Sequence, residues 1–196
     1  LASVTEIGEA ILKAGALEIR DVVNGEETFL YSSSNRGPGF LMIKGLTGQP
    51  KTLRFLCQQL ALRLDPTDFD FVAANVTGGL IPGFELRNNL ERIAGSEVPF
   101  AYVEGTRRVD TGMKDLGVTV VGDQNNPLIS NGDHALVHEE LVNFAQTTTN
   151  SALALRERGY HTDKAATIFF YNHKPALDLL KESGVHLTHL ITLQEF

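Results

Sequence analysis

The sequence predicts an α/β protein in which a parallel, twisted sheet is flanked by helices and joined by a small N-terminal hood. From Pro50 onward, short apolar runs alternate with stretches of helical periodicity. The apolar runs lack alternating polar positions, which is typical of strands buried on both faces of a parallel sheet. The length of 196 residues suits one domain of ordinary size.

The first 45 residues follow a different pattern, so we assign the hood to residues 1–45 and the α/β core to residues 46–196. Apolar residues recur at helical spacing between positions 4 and 14. Two β-type stretches, Leu17–Val23 and Thr28–Tyr31, flank Asn24-Gly25, a dipeptide typical of tight hairpin turns. A loop follows, and Phe40–Lys44 is predicted to be another strand.

The core elements are predicted in chain order, starting at Pro50, a residue that suits the first turn of a helix. They comprise five further strands and three further helices around a long polar segment, Glu104–Gly132: strand Phe69–Ala74, helix Phe84–Ala94, strand Val98–Val103, strand Ala135–His138, a helix ending near Arg158, strand Ala165–Tyr171, helix Pro175–Ser183 and a last strand, Leu187–Leu193. Ligands of such sheets bind beyond the carboxyl ends of the strands. The loops after Ala74, Val103, His138 and Tyr171 are therefore the expected site.

Composition narrows the class of protein. Lys and Arg number 17 against 24 Asp and Glu, a net charge of -7 that argues against broad binding to nucleic acid or to anionic membranes. The single cysteine, Cys57, lies on an apolar helical stripe, is expected in the core and forms no internal disulfide. Glu6 and Glu9 lie in the N-terminal stretch without a basic region, which predicts no signal peptide. We expect a cytoplasmic protein.

Three motifs could carry chemistry. The first is the glycine turn Asn75–Gly83, between a strand and a helix, where backbone amides and the helix dipole favour an anion. The second is the pair Glu139 and Glu140 after a strand, which suits ribose hydroxyls or a hydrated Mg²⁺. The third is the polar loop Glu104–Gly112, whose arginines could close over a polyanion. Taken singly, the glycine turn is equally typical of a structural turn, the polar loop is at least as typical of a solvated surface, and two acidic residues at a strand end are more typical of a solvated surface.

Together and in this order, the motifs resemble the type I phosphoribosyltransferases, and most closely the orotate phosphoribosyltransferases, over nearly the whole chain. The resemblance implies transfer of ribose 5-phosphate from phosphoribosyl pyrophosphate to a nucleobase, hence pyrimidine biosynthesis. It implies Mg²⁺ as cofactor, a homodimer, and phosphoribosyl pyrophosphate or a nucleoside monophosphate as ligand. The resemblance implies that Thr77, Gly78 and Gly79 hold the pyrophosphate. It implies that Glu139 and Glu140 hold the ribose, with Mg²⁺ brought by the substrate. Arg107 and Arg108 are the residues that would close the site.

In the family, the loop after the acidic pair holds the 5′-phosphate, and two registers compete for it here. One places Thr147–Ser151 on the loop and needs four inserted residues. The gapless register places Leu141–Thr147 there and leaves a helix of normal length, so we favour it. In that register Asn143, Gln146 and Thr147 donate to the phosphate, while Phe144 and Ala145 replace small residues.

The chain departs from the family elsewhere as well. The basic loop lacks the catalytic lysine of the family unless Arg107, Arg108 or Lys114 replaces it. Where the family often has Asp-Arg for the orotate carboxylate, this chain reads Tyr171-Asn172-His173-Lys174, so Lys174 or His173 is the candidate for an anionic base. The alternative functions are a catalytically impaired nucleotide-binding or regulatory member of the same fold, and an unrelated α/β binding protein.

Overall fold

The computed structural model describes residues 1–31, 36–105 and 118–196. The described chain begins with helix α1 (Val4–Lys13), which starts at a capping box. The Ser3 hydroxyl accepts the Glu6 backbone N–H, and the Glu6 carboxylate accepts the Ser3 backbone N–H. Ile7 and Ile11 of α1 are fully buried in the same cluster as the central sheet. Helix α1 is therefore part of the main core, and the division at residue 45 stays a prediction.

The short strands after α1 pair differently from the expected hairpin. Strand β1 (Leu17–Ile19) pairs antiparallel with β4 (Gly39–Leu41), and β2 (Phe29–Leu30) pairs with β3 (Arg36–Gly37). The hairpin between residues 17–23 and 28–31 was thus a wrong prediction. Residues 22–24 instead form a short 3-10 helix that ends at Gly25, whose φ of 99° requires glycine.

A six-stranded sheet forms the centre of the protein. Its strands are β5 (Phe71–Asn75), β6 (Phe100–Glu104), β7 (Thr119–Val121), β8 (His134–Val142), β9 (His161–Phe170) and β10 (His186–Thr192). Their spatial order is β10-β9-β8-β5-β6-β7, and every neighbouring pair is parallel except the antiparallel pair β6–β7. The predicted parallel α/β sheet is confirmed, while β7 lies in a segment predicted to be loop.

Helices cover both faces of this sheet. They are α2 (Pro50–Ala61), α3 (Leu80–Ala94), α4 (Gln146–Glu157) and α5 (Lys174–Glu182). Leu56 of α2 and Leu86 of α3 belong to one buried cluster with α1, whereas Leu155 of α4 and Leu180 of α5 belong to a second cluster. The sheet is therefore the middle of three layers. Cys57, a residue of α2, is fully buried in the core, as expected.

The parallel strands bring their carboxyl ends to one edge of the sheet. Strands β5, β6, β8 and β9 end there, and the sequence predicted a site in the segments that follow them. Most of the segment after β6 lies outside the described residues. Among the described residues, no helix is both long and apolar enough to cross a membrane.

Candidate functional site

The glycine turn between β5 and α3 is held close to the sheet. Strand β5 ends at Asn75, the Val76–Thr77 peptide bond is cis, and Gly79 caps the start of α3. A Cβ atom on Gly79 would lie 2.8 Å from the carbonyl oxygen of Asn75 and 2.9 Å from that of His138. Real Cβ atoms do not approach backbone that closely, so the turn requires glycine at this position.

The carboxylate of Glu140 lies directly against this turn. A Cβ atom added to Gly78 would overlap the Glu140 carboxyl group. The absence of a side chain at Gly78 therefore makes the space that the carboxylate occupies. Glu140 of the acidic pair and Gly78 of the glycine turn, 62 residues apart in the sequence and predicted from separate motifs, meet at this point.

Glu139 takes part in a different set of contacts. One of its carboxylate oxygens, Oε2, accepts hydrogen bonds from Asn75 Nδ2 at 3.2 Å and from Thr148 Oγ1 at 2.9 Å. Ser151 Oγ in turn donates to Asn75 Oδ1. Asn75, Thr148 and Ser151 are all buried. Glu139 thus joins the end of β5 to the first turns of α4.

The geometry of strand β8 explains why the carboxylates of Glu139 and Glu140 lie on opposite faces of the sheet. The prediction ended the strand at His138, but β8 continues to Val142, so both glutamates lie within it. Neighbouring residues of a strand point to opposite faces of the sheet. Glu140 therefore lies on the side of the turn before α3, and Glu139 on the side of α4.

The loop after β8 consists of three residues, Asn143 to Ala145, and helix α4 begins at Gln146. Ala145 has a φ of 61°, the left-handed conformation that a side chain disfavours. The structure favours the gapless register, because Thr148–Ser151 belong to α4 and not to the loop. Gln146 and Thr147, which that register places on the loop, form the first turn of α4. The amides of the first turn of α4, at Gln146 and Thr147, lack the acceptors that a preceding helical turn provides.

The loop after β9 leads into α5 through His173. This residue caps α5, because its Nδ1 accepts the backbone N–H of Ala176 at 3.4 Å. Its Nε2 lies 2.9 Å from Oδ1 of Asn143. Lys174, the candidate for an anionic base, has a side chain that is 81% exposed and forms an ion pair with Asp178 on α5, with 2.5 Å between Nζ and Oδ2. Its contact with a base stays a prediction.

Two predicted site residues, Arg107 and Arg108, lie outside the described residues, as does Lys114. Among the residues that are described, no group of three or more His, Cys, Asp or Glu side chains is arranged to hold a metal ion. Of the predicted site residues that are described, the structure brings four groups to one edge of the sheet: Thr77–Gly79, Glu140, Glu139 and the 143–147 segment. Their individual roles remain predictions.

No family model matches this chain, but curated proteins similar in sequence agree with the resemblance suggested by its motifs. An orotate phosphoribosyltransferase from Listeria monocytogenes is 28% identical over 183 residues, which cover 92% of this chain and 79% of the relative. The chain is similar to orotate phosphoribosyltransferases. The resemblance expected from the motifs is confirmed.

Solved structures show the same fold. Orotate phosphoribosyltransferase from Aeropyrum pernix matches with a TM-score of 0.73 at 22% identity, over 96% of this chain and 94% of that chain. UMP synthase from Leishmania donovani matches with a TM-score of 0.74 at 19% identity over the whole of this chain. This chain spans 37% of the length of that UMP synthase chain.

Sequence reasoning named several residues of the candidate site but missed the contacts they make. Asn75, Thr148 and Ser151 hold Glu139, and His173 joins two loops. Asn75 was placed only in the glycine turn, and His173 only beside an anionic base. Thr148 and Ser151 were weighed only for a phosphate loop, because their contact with the end of β5 becomes visible only once α4 is known to begin at Gln146.

Proposed function

We propose that this protein transfers ribose 5-phosphate from phosphoribosyl pyrophosphate to orotate or a related nucleobase. The observation that carries the proposal is the contact between the Glu140 carboxylate and Gly78. A sugar with an anionic group at each end suits this arrangement, because a carboxylate accepts hydrogen bonds from hydroxyls and backbone amides donate to anions. The relatives named orotate phosphoribosyltransferase support the same reaction.

In this proposal the site holds its substrate in three places. Thr77–Gly79 binds the pyrophosphate, and Glu140 accepts hydrogen bonds from the ribose hydroxyls. Asn143, Gln146 and Thr147 bind the 5′-phosphate, with the first amides of the 12-residue helix α4 adding donors and a favourable dipole. Glu139 supports this arrangement from the α4 side through Asn75 and Thr148.

Mg²⁺ fits the donor set of the site when the substrate supplies part of its ligands. Mg²⁺ is commonly held by one or two carboxylates together with substrate phosphates and water. Glu140 provides a carboxylate beside the pyrophosphate turn, whereas the carboxylate of Glu139 lies on the α4 side of the sheet. The bound ion would neutralise charge on the pyrophosphate.

The reaction breaks the bond between C1 of the ribose and the pyrophosphate oxygen, and the pyrophosphate leaves with the bonding electrons. A nitrogen of the base supplies the electron pair of the new C1–N bond and releases its proton to the solvent. Positioning and neutralisation of charge supply most of the rate in such a transfer. Glu140 positions the ribose, and we assign the neutralisation of the leaving group to Arg107 and Arg108, following the family.

The assembly and location of the protein follow from the resemblance alone. We propose a homodimer in the cytoplasm. Light scattering coupled to size-exclusion chromatography measures the mass of the assembly, and a mass near the 21.4 kDa of one chain would contradict the dimer.

The test compares the wild-type protein with Glu140→Gln and with the matched control Glu157→Gln, which removes the same charge from the exposed end of α4. Calorimetric titration with phosphoribosyl pyrophosphate and Mg²⁺ measures binding, and pyrophosphate release with orotate, uracil and adenine measures turnover. We expect wild type and Glu157→Gln to bind and react, and Glu140→Gln to lose both. No binding at millimolar ligand refutes the proposal. Binding without release for any base points to the impaired, nucleotide-binding alternative.

A further inference from the structure

A single histidine links the two loops at the phosphate side of the site. His173 follows β9, and its imidazole reaches back to the loop after β8, where its Nε2 lies 2.9 Å from Oδ1 of Asn143. The ring of Phe144 packs against the same imidazole, with 4.5 Å between the ring centroids and 57° between the planes. His173 thus contacts two of the three residues of the loop.

The hydrogen bonds of His173 determine which of its nitrogens carries the proton. Nδ1 accepts the backbone N–H of Ala176, so it carries no hydrogen. The proton of the neutral ring is then on Nε2, which donates to Asn143. The atom of Asn143 that faces His173 must therefore be its amide oxygen.

This hydrogen bond fixes the direction of the Asn143 amide. With Oδ1 held by His173, the NH₂ group points away from the imidazole. Within the described ranges, no protein acceptor takes a hydrogen bond from this NH₂ group. Two N–H donors are thereby presented next to the first turn of α4, where the 5′-phosphate binds in the proposed function.

We propose that His173 is a positioning residue that orients Asn143 for the 5′-phosphate of phosphoribosyl pyrophosphate, an inference that rests on the proposed function. Without His173, the Asn143 amide rotates and presents its oxygen to the phosphate as readily as its NH₂ group. An oxygen facing an anion is repulsive. The binding of the substrate suffers, while the reacting C1 atom at the other end of the ribose is little affected.

The decisive variant is His173→Asn. Asparagine is a good N-cap residue, so it keeps the start of α5, but it is too short to replace the bond to Asn143. His173→Ala loses both the cap and the bond. Glu182→Gln, at the exposed far end of α5, is the matched control. Three quantities are measured: the melting temperature, kcat and KM for phosphoribosyl pyrophosphate, and the Asn143 side-chain amide resonances, which are assigned by their loss in Asn143→Ser.

For His173→Asn we expect about a tenfold rise in KM, as for the loss of one hydrogen bond to a charged group, with kcat within about twofold of wild type. The Asn143 resonances should shift and broaden, and the melting temperature should stay unchanged. His173→Ala should show the same KM and a lower melting temperature, and Glu182→Gln should match wild type throughout.

Two results overturn the inference. Unmoved Asn143 resonances in His173→Asn refute the positioning, whether or not the protein turns over substrate. An unchanged KM in an active His173→Asn variant refutes the effect on substrate binding. Failure of the proposed function shows itself separately, because wild type then neither binds nor reacts while the resonances still report on the contact between His173 and Asn143.

Discussion

Replacing Gly78 by alanine should weaken substrate binding and leave the fold nearly intact. The added Cβ would overlap the Glu140 carboxylate, so that group must move. It is the end of a flexible side chain, and Gly78 does not have the left-handed conformation that would exclude alanine. We therefore expect the free energy of unfolding to fall by less than about 1 kcal/mol.

The loss of binding follows from the hydrogen bonds that the displaced carboxylate would have made. In the proposed function Glu140 accepts hydrogen bonds from the ribose hydroxyls. Hydrogen bonds to a charged group contribute about 1.5–3 kcal/mol, so the Kd for phosphoribosyl pyrophosphate should rise by roughly ten- to a hundredfold.

Gly79→Ala is the natural comparison, because the same chemical change meets a different obstacle one residue later. Its Cβ would lie 2.8 Å and 2.9 Å from carbonyl oxygens of the two central strands β5 and β8. These backbone atoms belong to the sheet and cannot swing aside. Overpacking of this kind costs about 1–3 kcal/mol, so Gly79→Ala should lower the free energy of unfolding by that amount.

Urea unfolding followed by circular dichroism and calorimetric titration with phosphoribosyl pyrophosphate and Mg²⁺ separate the two effects. Tight binding by Gly78→Ala would show that Glu140 does not act at the place where its carboxylate lies. Wild-type stability of Gly79→Ala would refute the close approach of the turn to the strand carbonyls.

Three further predictions concern buried polar groups. Ser151→Ala removes the donor to buried Asn75 Oδ1 and should cost about 1–3 kcal/mol in urea unfolding; an unchanged midpoint would contradict the network. Burial lowers the pKa of His138 to about 4 from its usual 6.5. Between pH 6.5 and pH 4, His138 is protonated in the unfolded chain but not in the folded protein. The free energy of unfolding should therefore fall as the pH is lowered from 6.5 towards 4, by up to about 3 kcal/mol. This loss should be missing from the pH dependence of His138→Leu, and an identical dependence would refute it. Burial also raises the pKa of the Cys57 thiol, so a thiol reagent should label native protein only at the rate of unfolding, and rapid labelling would show an accessible thiol.

The sheet was predictable from sequence because its signal is local and strong. Each buried strand is an apolar run bounded by turn residues, and each intervening helix shows an apolar stripe. The pairing of the short N-terminal strands β1 to β4 was not predictable in this way. Strand β1 pairs with β4, more than 20 residues later, and nothing in Leu17–Ile19 itself identifies this partner. Asn24-Gly25 favoured a local hairpin, but the pairing across the longer distance prevailed.

The site was predictable in its parts and less so in its arrangement. Two glutamates in sequence indicate a strand end, since charged residues seldom lie inside a central strand. Here main-chain pairing with β9 carries β8 past them, with Glu139 opposite Thr167 and Leu141 opposite Phe169. The separation of the two carboxylates to opposite faces follows from that extension, which only the three-dimensional pairing reveals.

Ala145 shows how the segment between β8 and α4 keeps its shape. Its left-handed backbone costs an alanine about 1–2 kcal/mol, and yet the segment adopts that conformation without glycine. The conformation is therefore enforced by the anchored strand on one side and the anchored helix on the other. The side chain at position 144, here a phenyl ring, therefore sets the chemistry that the loop offers to a ligand, while the course of the backbone is set by the elements on either side.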